Sequence, residues 1–131
     1  MNALAQAAAG VAALVHLTAF AWETVLFRRP GVHRGVFKVP ARDVDAVRLW
    51  WFDVGLYNLF LACGTVIGLV AGDAPVGRAL VFSTCGFMVA AGVGLGVSDR
   101  LAMSRPRGSG VGGALARVVP ALVAVVALAL A

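Results

Sequence analysis

Six side chains capable of chemistry lie in stretches that are otherwise apolar: His16 and Glu23 in the first, Asp53, Tyr57 and Asn58 in the second, and Arg117 in the last. Charge in hydrocarbon is costly, so such residues usually face the interior of a helix bundle and mark a site. Spacing assigns faces. His16 and Glu23 are seven apart and share one face of a helix. Asp53 and Tyr57 are four apart and share another, whereas Asn58 points away from it. Depth follows from the helical rise. Glu23 lies four residues inside Phe27 and Asp53 four inside Leu49, which places both about 6 Å into the apolar layer from one side. His16, Tyr57, Asn58, Thr84 and Cys85 fall in a middle layer roughly 12 to 20 Å deep. Arg117 is at the level of the two carboxylates. It either serves as their counter-ion or snorkels to the headgroups.

Two carboxylates at one depth in low dielectric tend to share a proton. A proton relay, a cation site and a general acid–base pair could each use that arrangement. The competing reading is structural: a hydrogen-bonded network that sets helix register. Other chemistries lack their residues. His16 and His33 are not at metal-ligand spacing, and Cys63 and Cys85 form no CxxC. Ser83 has no nucleophile-elbow context, and no glycine-rich phosphate loop follows a strand. His16 is the one intramembrane histidine available as a haem ligand. No metal and no cofactor are expected.

The elements that carry these residues follow from composition. The chain has 131 residues, is 61% hydrophobic and 13% charged, and has a mean hydropathy of +0.93. A soluble core of this size could not bury so much apolar surface. Four runs suit an all-α, four-transmembrane-helix bundle in a single domain, at about residues 3–27, 49–71, 78–97 and 114–131. The first run lacks a basic leader and carries Glu23, so it is expected to be retained as a span. The net charge of +5 resides mostly between the runs, which is a membrane-topology pattern and argues against nucleic acid as a partner. Loop one holds Arg28, Arg29, Arg34, Lys38, Arg42 and Arg48, and loop three holds Arg100, Arg105 and Arg107. Both are therefore expected on the cytoplasmic side, with both termini outside. Ten arginines against one lysine, with abundant Ala, Val and Gly, suggest the coding bias of a high-GC bacterium and an inner-membrane location.

Finer features add detail. Ala41 to Arg48 can extend the second helix downward from Pro40. Val36, Phe37 and Val39 either lie on the membrane surface or belong to a solvated loop. The stretch Arg105–Gly113 reads as a flexible linker. Gly64 with Gly68, and Gly92 with Gly96, Ala90 and Gly94, suit close helix–helix approach.

The segments His16-Leu17-Thr18-Ala19-Phe20-Ala21-Trp22-Glu23, Val36-Phe37 and Gly55-Leu56-Tyr57-Asn58, with Phe60-Leu61-Ala62 following, resemble a family of small bacterial membrane proteins, the domain of unknown function 1304 family. The run Ala90–Gly96 resembles that family's glycine-containing third helix. The resemblance implies a four-helix inner-membrane protein and carries over His16, Glu23, Gly55, Tyr57 and Asn58. Asp53 and Val54 stand where the family pattern has Asn and Gln, which implies a hydrogen-bonding role at position 53. Three functional expectations result. The first is a proton-linked small-molecule transporter or binding protein, with Glu23 as proton carrier. The second is a structural or accessory subunit. The third is a lipid-modifying enzyme using His16 and Glu23 as acid and base. The expected partners are the lipid bilayer, an unidentified small molecule and further copies of the chain.

Overall fold

A computed structural model describes residues 1–103 and 106–131. Helix α1 (Ala3–Phe20) continues into a π-helical turn, Ala21–Val25. A second π-helical turn, Gly31–Val36, and a short 3-10 turn, Ala41–Asp43, lead into α2 (Val44–Ala71). Helices α3 (Pro75–Arg100) and α4 (Val111–Ala129) complete the chain, and no strand occurs among the described residues. All four helical spans are long and apolar enough to cross a membrane. The protein is a multi-pass membrane protein of the all-α class.

The helix ends differ from the predicted runs for local reasons. The first helical run stops at Val25, two residues short of Phe27, because a turn precedes Pro30. Helix α2 begins at Val44, using part of the 41–48 extension, and stops at Gly72, whose φ of 65° suits a glycine. Helix α3 opens with Pro75 at its first position, where a missing N–H costs nothing. Helix α4 starts at Val111, so Gly112 and Gly113 belong to it and not to a linker.

The helices form an up-and-down square in which each packs on its sequence neighbours and α4 closes against α1. Their inner faces are built from small residues. Ala5, Ala9 and Ala12 of α1 meet Ala121 and Ala124 of α4 in a cluster completed by Val81, Cys85 and Met88 of α3. Large apolar side chains such as Leu14, Phe60, Val70 and Phe87 point outward. That inversion of the soluble pattern fits a lipid surround, in which close packing between small residues holds helices together.

A Cβ at Gly64 would press on Thr84, one at Gly68 on Val81 and the Gly77 carbonyl, and one at Gly92 on Val118. These three glycines set interhelical distances. A Cβ at Gly96 would meet Ala114 at 3.8 Å, an ordinary contact, and one at Gly94 would face open space, so the second glycine pattern contributes through Gly92. The Thr65 and Thr84 hydroxyls, 2.8 Å apart, bridge α2 and α3: one donates across to the other, which in turn donates to a carbonyl of its own helix.

The described parts of both long connections are folded against the bundle. In loop one, Phe27, Phe37 and Trp51 form a cluster with ring centroids 4.3 to 5.7 Å apart. Buried His33 donates from Nδ1 to the Val39 carbonyl (2.8 Å), and the Val39 N–H returns a bond to the His33 carbonyl (2.7 Å). The segment is therefore a folded cap on the end of the bundle, in which Val36, Phe37 and Val39 are half-buried. In loop three, the buried Asp99 carboxylate accepts from the Gly108 N–H (2.7 Å) and the Gly110 N–H (2.6 Å). The described part of the expected linker is thus pinned. Arg105, expected among its basic residues, lies outside the described residues.

Candidate functional site

The site is built where α1 gives way to its π-helical turn. The Leu26 N–H reaches back five residues to the Ala21 carbonyl (2.8 Å), and the widened turn carries Glu23. Such insertions recur at functional sites. Helix α2 approaches this turn closely because position 55 has no side chain. A Cβ there would collide with Thr24 Oγ1 and come within 3.1 Å of both Glu23 Cβ and the Thr24 nitrogen. The Thr24 hydroxyl donates to the Phe52 carbonyl (3.2 Å), which ties the two helices at the same level.

Glu23 is 2% exposed and both its carboxylate oxygens are engaged. Oε1 accepts from the Arg117 guanidinium of α4 (3.0 Å), and Oε2 accepts from Asn58 Nδ2 of α2 (2.6 Å). Asn58 Nδ2 also donates to the Val54 carbonyl (3.1 Å), so its two amide hydrogens are both used. Three helices are thus joined through one carboxylate. A buried charge that is both paired and hydrogen-bonded avoids most of the penalty of leaving water.

His16, two turns from Glu23, has no exposed surface. Its Nδ1–H donates to the Ala12 carbonyl (2.9 Å), while buried Nε2 has no partner among the described residues.

Asp53 and Tyr57 are not part of this cluster. Both lie on the outer surface of α2. The expected pair of carboxylates sharing a proton is therefore not formed, and Glu23 finds Asn58, the residue expected to face elsewhere. Residue counting gives depth but not the rotation of a helix. Rotation is decided by Gly55, which with Asn58, Ala62, Thr65 and Gly68 forms the buried face of α2. Asp53, two residues before Gly55, is turned outward as a result.

Beside the ion pair lies a cavity of about 540 Å³, with Ala19, Trp22, Phe37, Trp51 and Ala116 among its walls and Glu23 and Arg117 at its edge. Its surface is mostly apolar. Sequence reasoning did not single out Trp22 or Ala116 as part of a site, and it missed Asp99, which secures the entry to α4. An acid at the end of an apolar run, just before a glycine-rich stretch, was the available signal for Asp99. Among the described residues, no three His, Cys, Asp or Glu side chains come together as metal ligands would.

The fold and site define a four-helix, multi-pass membrane protein with a buried acid–base pair beside an apolar cavity. The chain belongs to the family described as protein of unknown function DUF1304, whose pattern matches residues 10–129 and so spans every site residue from His16 to Arg117. No curated protein and no solved structure matches the chain.

Proposed function

We propose that this protein is a membrane-embedded binding protein for a small amphipathic molecule. The observation that carries this reading is the 540 Å³ apolar cavity onto which the Glu23–Arg117 pair borders. Small-molecule sites have this size and this mixture of apolar wall and a few convergent polar groups. Binding is favoured over proton-linked transport because Glu23 is engaged by Arg117 and Asn58, with no second carboxylate bonded into this cluster among the described residues. The proposed setting is a bacterial inner membrane, with the basic loops one and three on the cytoplasmic side by the positive-inside rule.

The test is to purify wild type and Ala116→Leu in mild detergent, extract each with organic solvent and compare retained lipophiles by mass spectrometry. Ala116 is exposed on the cavity wall, so the larger side chain fills space without disturbing the core. A lipophile near one-to-one stoichiometry in wild type and depleted in the variant is the expected result. Identical extracts from both proteins would refute the reading.

A second reading has its own observation. Asp53, Tyr57 and Phe60 face outward on α2, where lipid would otherwise surround a carboxylate. A second copy of the chain covering that face would relieve the cost. Mass measurement of the detergent-solubilised protein tests this: a dimer lost on Asp53→Leu is expected, and a monomeric wild type would exclude it.

A further inference from the structure

We infer that the cavity takes a flat, uncharged lipophile with carbonyl oxygens on its ring and an apolar tail, the chemistry of a lipid-soluble quinone. The inference rests on the binding role proposed above and assigns a ligand class to the same cavity.

Charge comes first. Glu23 and Arg117 neutralise one another across 3.0 Å. An anionic head would leave a net negative charge in a low-dielectric space, and would compete with Glu23 for its own counter-ion. A cationic head would meet Arg117 and find both Glu23 oxygens already accepting hydrogen bonds. An uncharged head avoids both costs.

Hydrogen-bonding capacity narrows the class. A guanidinium has five N–H donors, and the bond to Glu23 is the one hydrogen bond Arg117 makes among the described residues. Its side chain is 17% exposed, so most of this donor capacity is held out of bulk solvent at the cavity edge. The wall also holds the indole rings of Trp22 and Trp51, each with one N–H. Thr18 and Ser109, the hydroxyl residues of the wall, donate to backbone carbonyls within their own segments. Each oxygen of Glu23, the carboxylate of the wall, already accepts one hydrogen bond, which leaves about two of its four acceptor positions. The unspent capacity is therefore mostly on the donor side, and the complementary ligand group is an acceptor such as a carbonyl oxygen.

Shape supplies the remainder. Trp22, Phe37 and Trp51 line the space, and Trp51 is held by stacking on Phe27 at 5.4 Å. Fixed aromatic faces suit a planar ring. The outer side chains of the bundle are apolar, which leaves a hydrocarbon tail in surroundings like its own.

The experiment uses the full chain carrying Trp50→Phe, which removes an exposed indole outside the cavity wall and leaves Trp22 and Trp51 as reporters. In detergent, their fluorescence is titrated with a decyl-substituted benzoquinone and, separately, with decanoate and decyltrimethylammonium as competitors. Saturable quenching by the quinone that neither ionic amphiphile displaces is expected. Ala116→Leu should weaken it at least tenfold. Arg117→Lys, which keeps the charge but not the fork of donors, should weaken it about ten- to a hundredfold with helical circular dichroism unchanged. Displacement by decanoate at lower concentration than the quinone would overturn the ligand class while leaving the binding role standing. Quenching that never saturates, or is the same in Ala116→Leu, combined with no saturable effect of either ionic amphiphile, would overturn both.

Discussion

The buried pair between Glu23 and Arg117 yields a quantitative prediction through a double-mutant cycle. The side chain of Glu23 is 1% exposed and that of Arg117 17% exposed, so losing either partner strands the other largely out of water. Breaking such a pair costs about 3–5 kcal/mol. Glu23→Gln keeps the shape and an acceptor for Asn58, and the stranded guanidinium can lean toward the cavity it borders. Its cost should lie near the lower bound, about 3 kcal/mol. Arg117→Met strands the more deeply buried group and should approach about 5 kcal/mol. The double variant Glu23→Gln/Arg117→Met leaves no unpaired charge, so it should be less destabilised than Arg117→Met alone. The coupling between the two sites should then be at least about 3 kcal/mol, well above the ~0.5 kcal/mol seen between independent sites. The assay is reversible unfolding in mixed micelles, with sodium dodecyl sulfate as denaturant and far-ultraviolet circular dichroism as the signal. Additive costs within about 0.5 kcal/mol would refute the claim that these two residues stabilise the bundle as a pair.

Three other outcomes are expected. Gly55→Ala should destabilise the bundle, because overpacking costs about 1–3 kcal/mol whereas the gain in helix propensity is at most about 1 kcal/mol. Adding Thr24→Ala, which removes the colliding hydroxyl, should recover part of the loss in the same unfolding assay; no recovery would mean that the close approach lies elsewhere. Asp99→Ala should release loop three by removing two hydrogen bonds to a carboxylate, each worth roughly 1.5–3 kcal/mol. Trypsin should then cleave after Arg107 faster than in wild type, and equal rates would exclude a pinning role. A peptide tag added before Met1 should react with an impermeant antibody on intact spheroplasts if loops one and three are cytoplasmic, whereas reactivity only after permeabilisation would reverse the orientation.

Much of this architecture was legible in the residues because membrane insertion depends on segment totals. Four runs of about 20 apolar residues suffice to specify spanning helices whatever their neighbours are. Depth was legible too: counting from the span ends placed Glu23 and Arg117 at one level, and the structure joins them across 3.0 Å. Partner choice within α2 was not. A helix at a given depth can turn any face inward, and the hydropathy of α2 is nearly uniform around its axis, so apolar periodicity does not select one. What selected the face was steric, the fit of Gly55 against the hydroxyl and backbone nitrogen of Thr24. That contact needs both helices in place before it exists.

The loops divide along the same line. Composition marks Arg105 to Gly113 as a break between helices, because glycine and proline weaken helix locally, but α4 already begins at Val111. Composition does not reveal that an aspartate on the preceding helix will fold back on those amides, or that Phe27, Phe37 and Trp51 will stack into a cap. By itself the sequence determined the helix count, the membrane class, the family and the level of each ionisable group, since these depend on local totals and on rise per residue. Tertiary structure alone decided that Glu23 pairs with Arg117 and Asn58 while Asp53 faces outward, and that a cavity opens beside them. Those outcomes depend on the mutual rotation of packed helices, which is a property of their contacts and of no single segment.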